Sequence, residues 1–352
     1  MNPERGAPRE IDEKKRRGRR FLGYGIIFIA VMGLLIAFSN LNRLGGIIRS
    51  IAAGPFCLSI ACSLVVYFFE GMYIVVILRI LGIRIPPLKT LRYAFVINSF
   101  GYIVSLGGIT HFATQIYFLG LHGVEPKKAA LSRGMYVICF NVLFNIFICT
   151  GFILLLGSRQ NETSLTATAA ALFVYAVLVC LLYLTVFNRS FRRSVAGGLS
   201  WFLARLSGRL AERLGSKIAS LDGLLTDIAE GLKGMVRNPR HFLSVASVSL
   251  PDIIIWVIVM YLSFRAVGFS IEPDTLIIGL SIGHIASIVS MIPGGMGALE
   301  GSMALTYRAL GVPFETAVVA ILLYRISFYI VPFLLSLPFC RFRPQNKKVT
   351  VP

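Results

Sequence analysis

The segment Met291-Ile292-Pro293-Gly294-Gly295-Met296-Gly297-Ala298-Leu299-Glu300-Gly301 sets a proline, four glycines and a carboxylate inside otherwise apolar sequence. Proline has no amide hydrogen to donate and glycine loses the most backbone entropy on ordering, so a helix is expected to end here. In a bilayer the freed backbone groups must be met by protein or by a water-filled cavity, which makes the break a candidate binding site rather than a linker. A second break, Ser105-Leu106-Gly107-Gly108-Ile109, has a similar apolar setting. The same Gly-Val pair follows each break, at Gly123-Val124 and at Gly311-Val312. The chain is therefore expected to hold an internal repeat built on two broken helices.

Of 352 residues, 56% are hydrophobic and 14% charged, against about 25% charged in soluble domains. A soluble globular chain is excluded. The 35 basic and 16 acidic residues leave a net charge of +19. The basic residues fall in short segments between apolar spans, so they read as orientation signals and not as a nucleic-acid surface. Cys57, Cys62, Cys139, Cys149, Cys180 and Cys340 have no metal-ligand spacing and read as small packing residues. The apolar run from Phe21 to Ser39 is long enough to span and has no small-residue cleavage site after it, so it reads as a first span.

Eight basic residues within 1–20 place the amino terminus in the cytoplasm. Full spans are expected at 21–39, 54–78, 134–157, 164–187, 242–264 and 316–338, followed by a cytoplasmic tail at 339–352. The stretches 93–120 and 275–310 are each broken by glycine. If 93–120 crossed once, Lys127, Lys128, Arg133 and the ten basic residues of 188–240 would lie outside. If it enters from the cytoplasm, turns at Gly107-Gly108 and returns, all of these lie inside. Units 54–157 and 242–338 then become inverted repeats whose hairpins enter from opposite sides. The expected fold is an all-α polytopic membrane protein, about six full spans plus two re-entrant helical hairpins arranged as inverted repeats. Within 188–240, Leu199, Leu203, Leu206, Leu210 and Leu214 recur at helical spacing with Arg205 and Arg209 on the flank. That segment is expected to lie along anionic inner-leaflet lipids.

A helix starting near Gly295 would point its positive amino end into the middle of the membrane, where an anion is stabilised. The blander reading is that the glycines let helices pack closely. Two such tips meeting in an inverted pair favour a site, at Pro293, Gly294, Gly295 and Gly297 and at Gly107 and Gly108. Glu300, one turn into that helix, and Arg325 in the last span are costly in lipid unless paired or hydrated. They form either a structural ion pair or a substrate contact, and the sequence leaves both open. Arg308 lies nearer the outer surface, where it can snorkel. Glu70 and Asp252 hold comparable places in the span before each hairpin, as proton sensors or cation binders, although Asp252 also suits a backbone kinked at Pro251. The first hairpin offers Thr110, His111 and Gln115, with Asn98 just before. Histidines at 111, 122, 241 and 284 are too scattered for a metal cluster. No nucleophile–base pair, Walker loop or dinucleotide fingerprint occurs, which argues against an enzyme, an ATP-driven pump or a cofactor.

At Pro293-Gly294-Gly295-Met296-Gly297-Ala298-Leu299-Glu300-Gly301, with Gly311-Val312-Pro313 after it, the chain resembles the lysylphosphatidylglycerol synthase transmembrane-region family. The resemblance runs from about residue 20 to 340. That family comprises the flippase portion of bacterial multiple peptide resistance factors and many stand-alone relatives, including membrane proteins associated with hopanoid biosynthesis. The first break departs from the pattern. Relatives usually carry a proline and often charged residues there, where this chain has Ser105-Leu106-Gly107-Gly108 and then His111 and Gln115. No soluble aminoacyl-transferase domain follows residue 340, so the resemblance implies lipid movement and not lipid synthesis. The expectation is a bacterial inner-membrane protein that moves an anionic or zwitterionic lipid between leaflets, its hairpin tips holding the phosphate. Two other readings stand beside it. A transporter of a small soluble anion would have a closed cavity with no lateral opening. A non-transporting accessory subunit would present lipid to a separate lipid-modifying transferase docked on 188–240.

Overall fold

The structure, a computed structural model, describes residues 41–103, 109–157, 162–206, 208–290 and 292–340. The basic amino terminus, the expected first span at 21–39, Gly107 and Gly108, and the tail from 341 lie outside the described residues. Every described element is helical. In order these are α1 (Leu41–Arg49), α2 (Ala53–Ile80), α3 (Pro87–Ile103), α4 (Ile109–Gly120), α5 (Pro126–Gly157), α6 (Glu162–Phe187), α7 (Arg189–Leu206) and α8 (Gly208–Arg237). There follow α9 (Pro239–Ala266), α10 (Pro273–Ser290), a tight turn at Pro293–Gly295, α11 (Ala298–Ala309) and α12 (Phe314–Arg325). A π-helical stretch, Ile326–Ile330, carries α12 into α13 (Val331–Ser336).

Five of these are long and apolar enough to cross a membrane: α2, α5, α9, α10 and the continuous run Phe314–Phe339. The end of α6 and the start of α7, bent by 108° at Asn188, make a sixth candidate. The chain is a multi-pass helical membrane protein, as the composition requires. In α9 the helix runs unbroken through Pro251.

At the centre α2 and α9 make the most extensive helix–helix contact in the molecule. They run antiparallel, since Ala52 N–H, ahead of α2, donates to the carbonyl of Ala266 at the end of α9 (2.8 Å). Helices α3 and α4 fold back on each other as a hairpin. Tyr93 near the start of one stacks on Phe118 near the end of the other, with ring centres 5.6 Å apart. Ile83 and Ile85 before the hairpin share one apolar cluster with Val124 after it and Leu78 at the end of α2. Helices α10 and α11 form a second hairpin, closed where the Tyr307 hydroxyl donates to the Leu276 carbonyl (3.2 Å). Its helices touch through Gly279, where a Cβ would lie 2.1 Å from the Tyr307 ring. The base of this hairpin packs on the end of α9, with Phe264 and Tyr307 rings 5.1 Å apart.

One hairpin is thus rooted at the end of α2 and the other at the end of α9, and because those helices are antiparallel the two approach from opposite ends. Their tips meet: a Cβ on Gly294 would stand 3.3 Å from the Tyr102 carbonyl. At 12 residues each, α4 and α11 are about 18 Å long, short of the roughly 30 Å hydrocarbon core.

The segment 188–240 is helical. It is two helices, α7 and α8, and the side chains of Leu199, Leu203, Leu206, Leu210 and Leu214 lie outside the described ones. The later part of α8 buries one face against the protein and leaves Glu230, Lys233 and Arg237 exposed on the other. Ile228, Leu232 and Met235 are buried against Tyr73, Met135 and Val186. The side chain of Arg192 is buried and ties α7 back to its neighbours, donating to Asp222 (2.5 Å), Thr226 (2.6 Å) and the Val186 carbonyl (2.9 Å).

Candidate functional site

Where the hairpin tips meet α2 and α9, the protein lines a partly open cavity of ≈ 510 Å³. Its floor is the Gly294-Gly295 turn. Both glycines have left-handed backbone, φ 66° and 61°, which an L side chain adopts at a cost. Space forbids a side chain as well: a Cβ on Gly295 would fall 1.8 Å from the Ser287 hydroxyl. The turn therefore brings bare backbone to the cavity.

Behind the turn sits the Glu300–Arg325 pair. Glu300 is 1% exposed and Arg325 6%. Arg325 Nε donates to Glu300 Oε1 at 2.5 Å, and its Nη2 donates to the Gly294 carbonyl at 3.2 Å. The other carboxylate oxygen accepts from Gly297 N–H at 2.7 Å, so Glu300 caps the first turn of α11 while neutralising Arg325. The guanidinium also lies 4.3 Å from the centre of the Tyr329 ring. Neither residue lines the cavity. The two residues contact each other and hold the Gly294 and Gly297 backbone from behind the turn.

The cavity wall carries two other carboxylates, Glu70 of α2 and Asp252 of α9. Glu70 Oε1 accepts the hydroxyl of Tyr102. Glu70 Oε2 and Asp252 Oδ2 have no hydrogen-bond partner in the protein, so Asp252 is not consumed in mending the helix at Pro251. Among the described residues that line the cavity there is no lysine or arginine. Aromatic rings make up much of the rest, with Tyr102, Phe144, Trp256, Phe328 and Tyr329 all contributing. Trp256 is held by its indole N–H, donated to the Tyr324 hydroxyl at 2.6 Å. His284 stands edge-on to Trp256, 4.6 Å between ring centres, oriented by its Nδ1 against the Leu280 carbonyl (2.9 Å). An aromatic-walled, acceptor-rich chamber suits a donor-bearing or cationic group.

Glu70, Asp252, Gly294 and Gly295 thus share one cavity. Pro293 begins the turn, and Gly297, at φ 86°, precedes α11. The other residues named from sequence are elsewhere. Arg308 is exposed at the end of α11, above the Phe314 ring at 5.6 Å. His111 packs against the Tyr102 ring (5.3 Å), and Gln115 donates to Ser132 at 2.8 Å, linking α4 to α5. Gly107 and Gly108 are outside the described residues. Sequence reasoning missed Tyr102, Trp256, His284 and Tyr329 as cavity residues. It also placed Arg133 in a cytoplasmic connection, whereas Arg133 is buried within α5 at 5% exposure. The signal was present in part, because the glycine break that ends α3 leaves Tyr102 beside it.

Comparison with known proteins bears on the whole chain. The phosphatidylglycerol lysyltransferase of Staphylococcus aureus (strain MRSA252) is 25% identical over 304 residues, covering 86% of this chain and 30% of its own length. That of Staphylococcus haemolyticus (strain JCSC1435) is 22% identical over 333 residues, covering 90% and 33% respectively. The chain therefore spans about a third of the length of these curated relatives. The family profile described as the lysylphosphatidylglycerol synthase TM region matches residues 21–336. This chain belongs to the lysylphosphatidylglycerol synthase transmembrane-region family.

Proposed function

We propose that the chain moves an amphipathic phospholipid between leaflets, binding its head group in the cavity between the hairpin tips. The observation that carries this reading is where the cavity ends. Its lining includes Ile288, which is 55% exposed, and the next residue, Val289, is 61% exposed. The chamber meets the outer surface among apolar side chains, as a lipid with its tails in the bilayer requires. A carrier of small soluble anions would need a sealed chamber with basic walls, whereas among the described lining residues Ile288 is exposed and none is lysine or arginine. In this reading the two hairpins are re-entrant, the units around them are inverted repeats, and rocking at the Tyr102–Gly294 contact changes which leaflet the head group faces. The chain itself performs no chemistry on the lipid. It sits in a bacterial inner membrane with both termini cytoplasmic, and the basic α7–α8 region faces anionic lipid or a partner transferase.

The test is flipping in proteoliposomes. A fluorescent head-group-labelled phospholipid should become accessible to an impermeant quencher faster with the wild-type protein than in protein-free vesicles. Glu70→Gln and Asp252→Asn should each slow it while the protein stays folded. Equal rates with and without protein would sink the proposal.

A further inference from the structure

Arg133 and Arg325 occupy comparable places, each in the helix that follows a broken hairpin, and each lies against a tyrosine ring of its own helix, 4.4 Å from Tyr136 and 4.3 Å from Tyr329. Their surroundings differ. Arg325 has the Glu300 carboxylate at 2.5 Å. Arg133, equally buried, has no carboxylate within salt-bridge distance among the described residues, and its Nε has no hydrogen-bond partner. Its one side-chain hydrogen bond is a long contact from Nη1 to Asn98 Oδ1, 3.5 Å. Asn98 is 1% exposed, and its Nδ2 is also without a partner. Arg133 Nε and Asn98 Nδ2, one of them on a cationic group, are therefore buried side by side with no acceptor within hydrogen-bond distance. A buried charge in that state costs several kcal/mol unless something neutralises it.

Neither group lines the cavity, but both lie next to residues that do. Arg133 lies within electrostatic reach of Glu70 and Tyr102, and Asn98 lies beside Glu70. We propose that Arg133 and Asn98 form an anion subsite that takes a phosphate, next to the Glu70–Asp252 carboxylates that take a positive or hydroxyl-bearing group. The inference rests on the lipid reading above for the source of the phosphate and deepens it by naming the side chains that would hold that phosphate. Beside the first hairpin, an arginine with no acid at salt-bridge distance is where the ligand's anion would be held. In the second hairpin, Glu300 already fills that place.

The experiment is binding to the purified full-length chain, by thermal shift and calorimetry, with three probes: dihexanoylphosphatidylethanolamine, dihexanoylglycerol and inorganic phosphate. Wild type should bind the phospholipid and not the phosphate-free dihexanoylglycerol. Arg133→Met should weaken phospholipid binding about tenfold or more, as expected for losing a charge-assisted contact. The unliganded variant should melt at or above the wild-type temperature, because an unneutralised buried charge has been removed. Arg133→Lys, which keeps the charge, should recover part of the affinity. If Arg133→Met binds the phospholipid as wild type does, the subsite is wrong while the lipid reading is untouched. If the unliganded variant is destabilised and Glu70→Gln restores it, Arg133 is the counter-charge of Glu70 and the proposal falls. If inorganic phosphate binds in an Arg133-dependent way and the phospholipid does not, the subsite stands and the lipid reading fails.

Discussion

Three acids of similar burial divide into two kinds in this protein, and the difference lies in what their oxygens touch. Both oxygens of Glu300 are used, by Arg325 and by Gly297 N–H, whereas Glu70 and Asp252 each keep one buried oxygen without a partner. Breaking the first arrangement strands a charge. Arg325→Met is expected to lower unfolding stability by about 3–5 kcal/mol, and the double variant Glu300→Leu with Arg325→Met to recover most of it. Thermal unfolding of the four proteins in one detergent forms the cycle, and additive losses would show that the pair is not coupled. Glu70→Gln and Asp252→Asn should leave the melting temperature unchanged or raised, since the Gln carbonyl can still accept the Tyr102 hydroxyl and the second buried oxygen of each acid has no protein partner to lose. All four charged residues were legible in the sequence, because an ionisable group in an apolar span is conspicuous. Which pair is structural and which faces the cavity was not legible, since that depends on contacts between residues far apart in the chain. Tyr102 and Trp256 were hidden for a simpler reason: in a sequence that is 12% aromatic, a ring at a cavity looks like a ring in the core.

At the scale of elements, the tight turn and the α7–α8 corner make separate predictions. Gly295 needs both its left-handed backbone and its missing Cβ, whereas Gly301, within α11, has nothing within 4 Å of a Cβ. Gly295→Ala should cost about 1–2 kcal/mol from backbone alone, with the Ser287 overlap in addition. Gly301→Ala should instead gain up to about 1 kcal/mol from helix propensity. If both melt alike, the turn is not held as described. At the corner, hydrogen bonding to Arg192 holds the Asp222 carboxyl below the ordinary carboxylate range. A lowered value means that the clip stabilises the fold above the unfolded carboxyl's pKa, about 3.9, and that this stability is lost as pH falls through the folded value. The difference in melting temperature between wild type and Asp222→Asn should therefore be constant near neutrality and close below about pH 4. A difference that persists in acid would exclude the clip as its cause. The breaks themselves were legible, because proline and clustered glycine act locally. The burial of α8 was not, because a helix with apolar and basic faces has the same pattern whether it meets lipid or protein.

For the whole molecule, charge counting and packing give independent arguments for one topology. Counting basic residues puts Arg84, before α3, and Glu125, after α4, on the same side of the membrane. The fold brings the neighbouring Ile83, Ile85 and Val124 into a single apolar cluster, which a pair of helices crossing once would hold apart. Helix α10, at 18 residues, is long enough to cross alone, yet α11 turns back along it to the Tyr307–Leu276 contact. Arg84, Glu125, Glu272 and Pro313 are exposed on the connections flanking the two hairpins. In a variant freed of its native cysteines, single substitutions Arg84→Cys and Glu125→Cys should react with an impermeant maleimide only from the cytoplasmic side. Glu272→Cys and Pro313→Cys should react only from the opposite side. If Arg84→Cys and Glu125→Cys are labelled from different sides, α3 and α4 cross the bilayer as one broken span. The two hairpins would then no longer enter from opposite faces, and a cavity formed where their tips meet could not present one head group to each leaflet in turn.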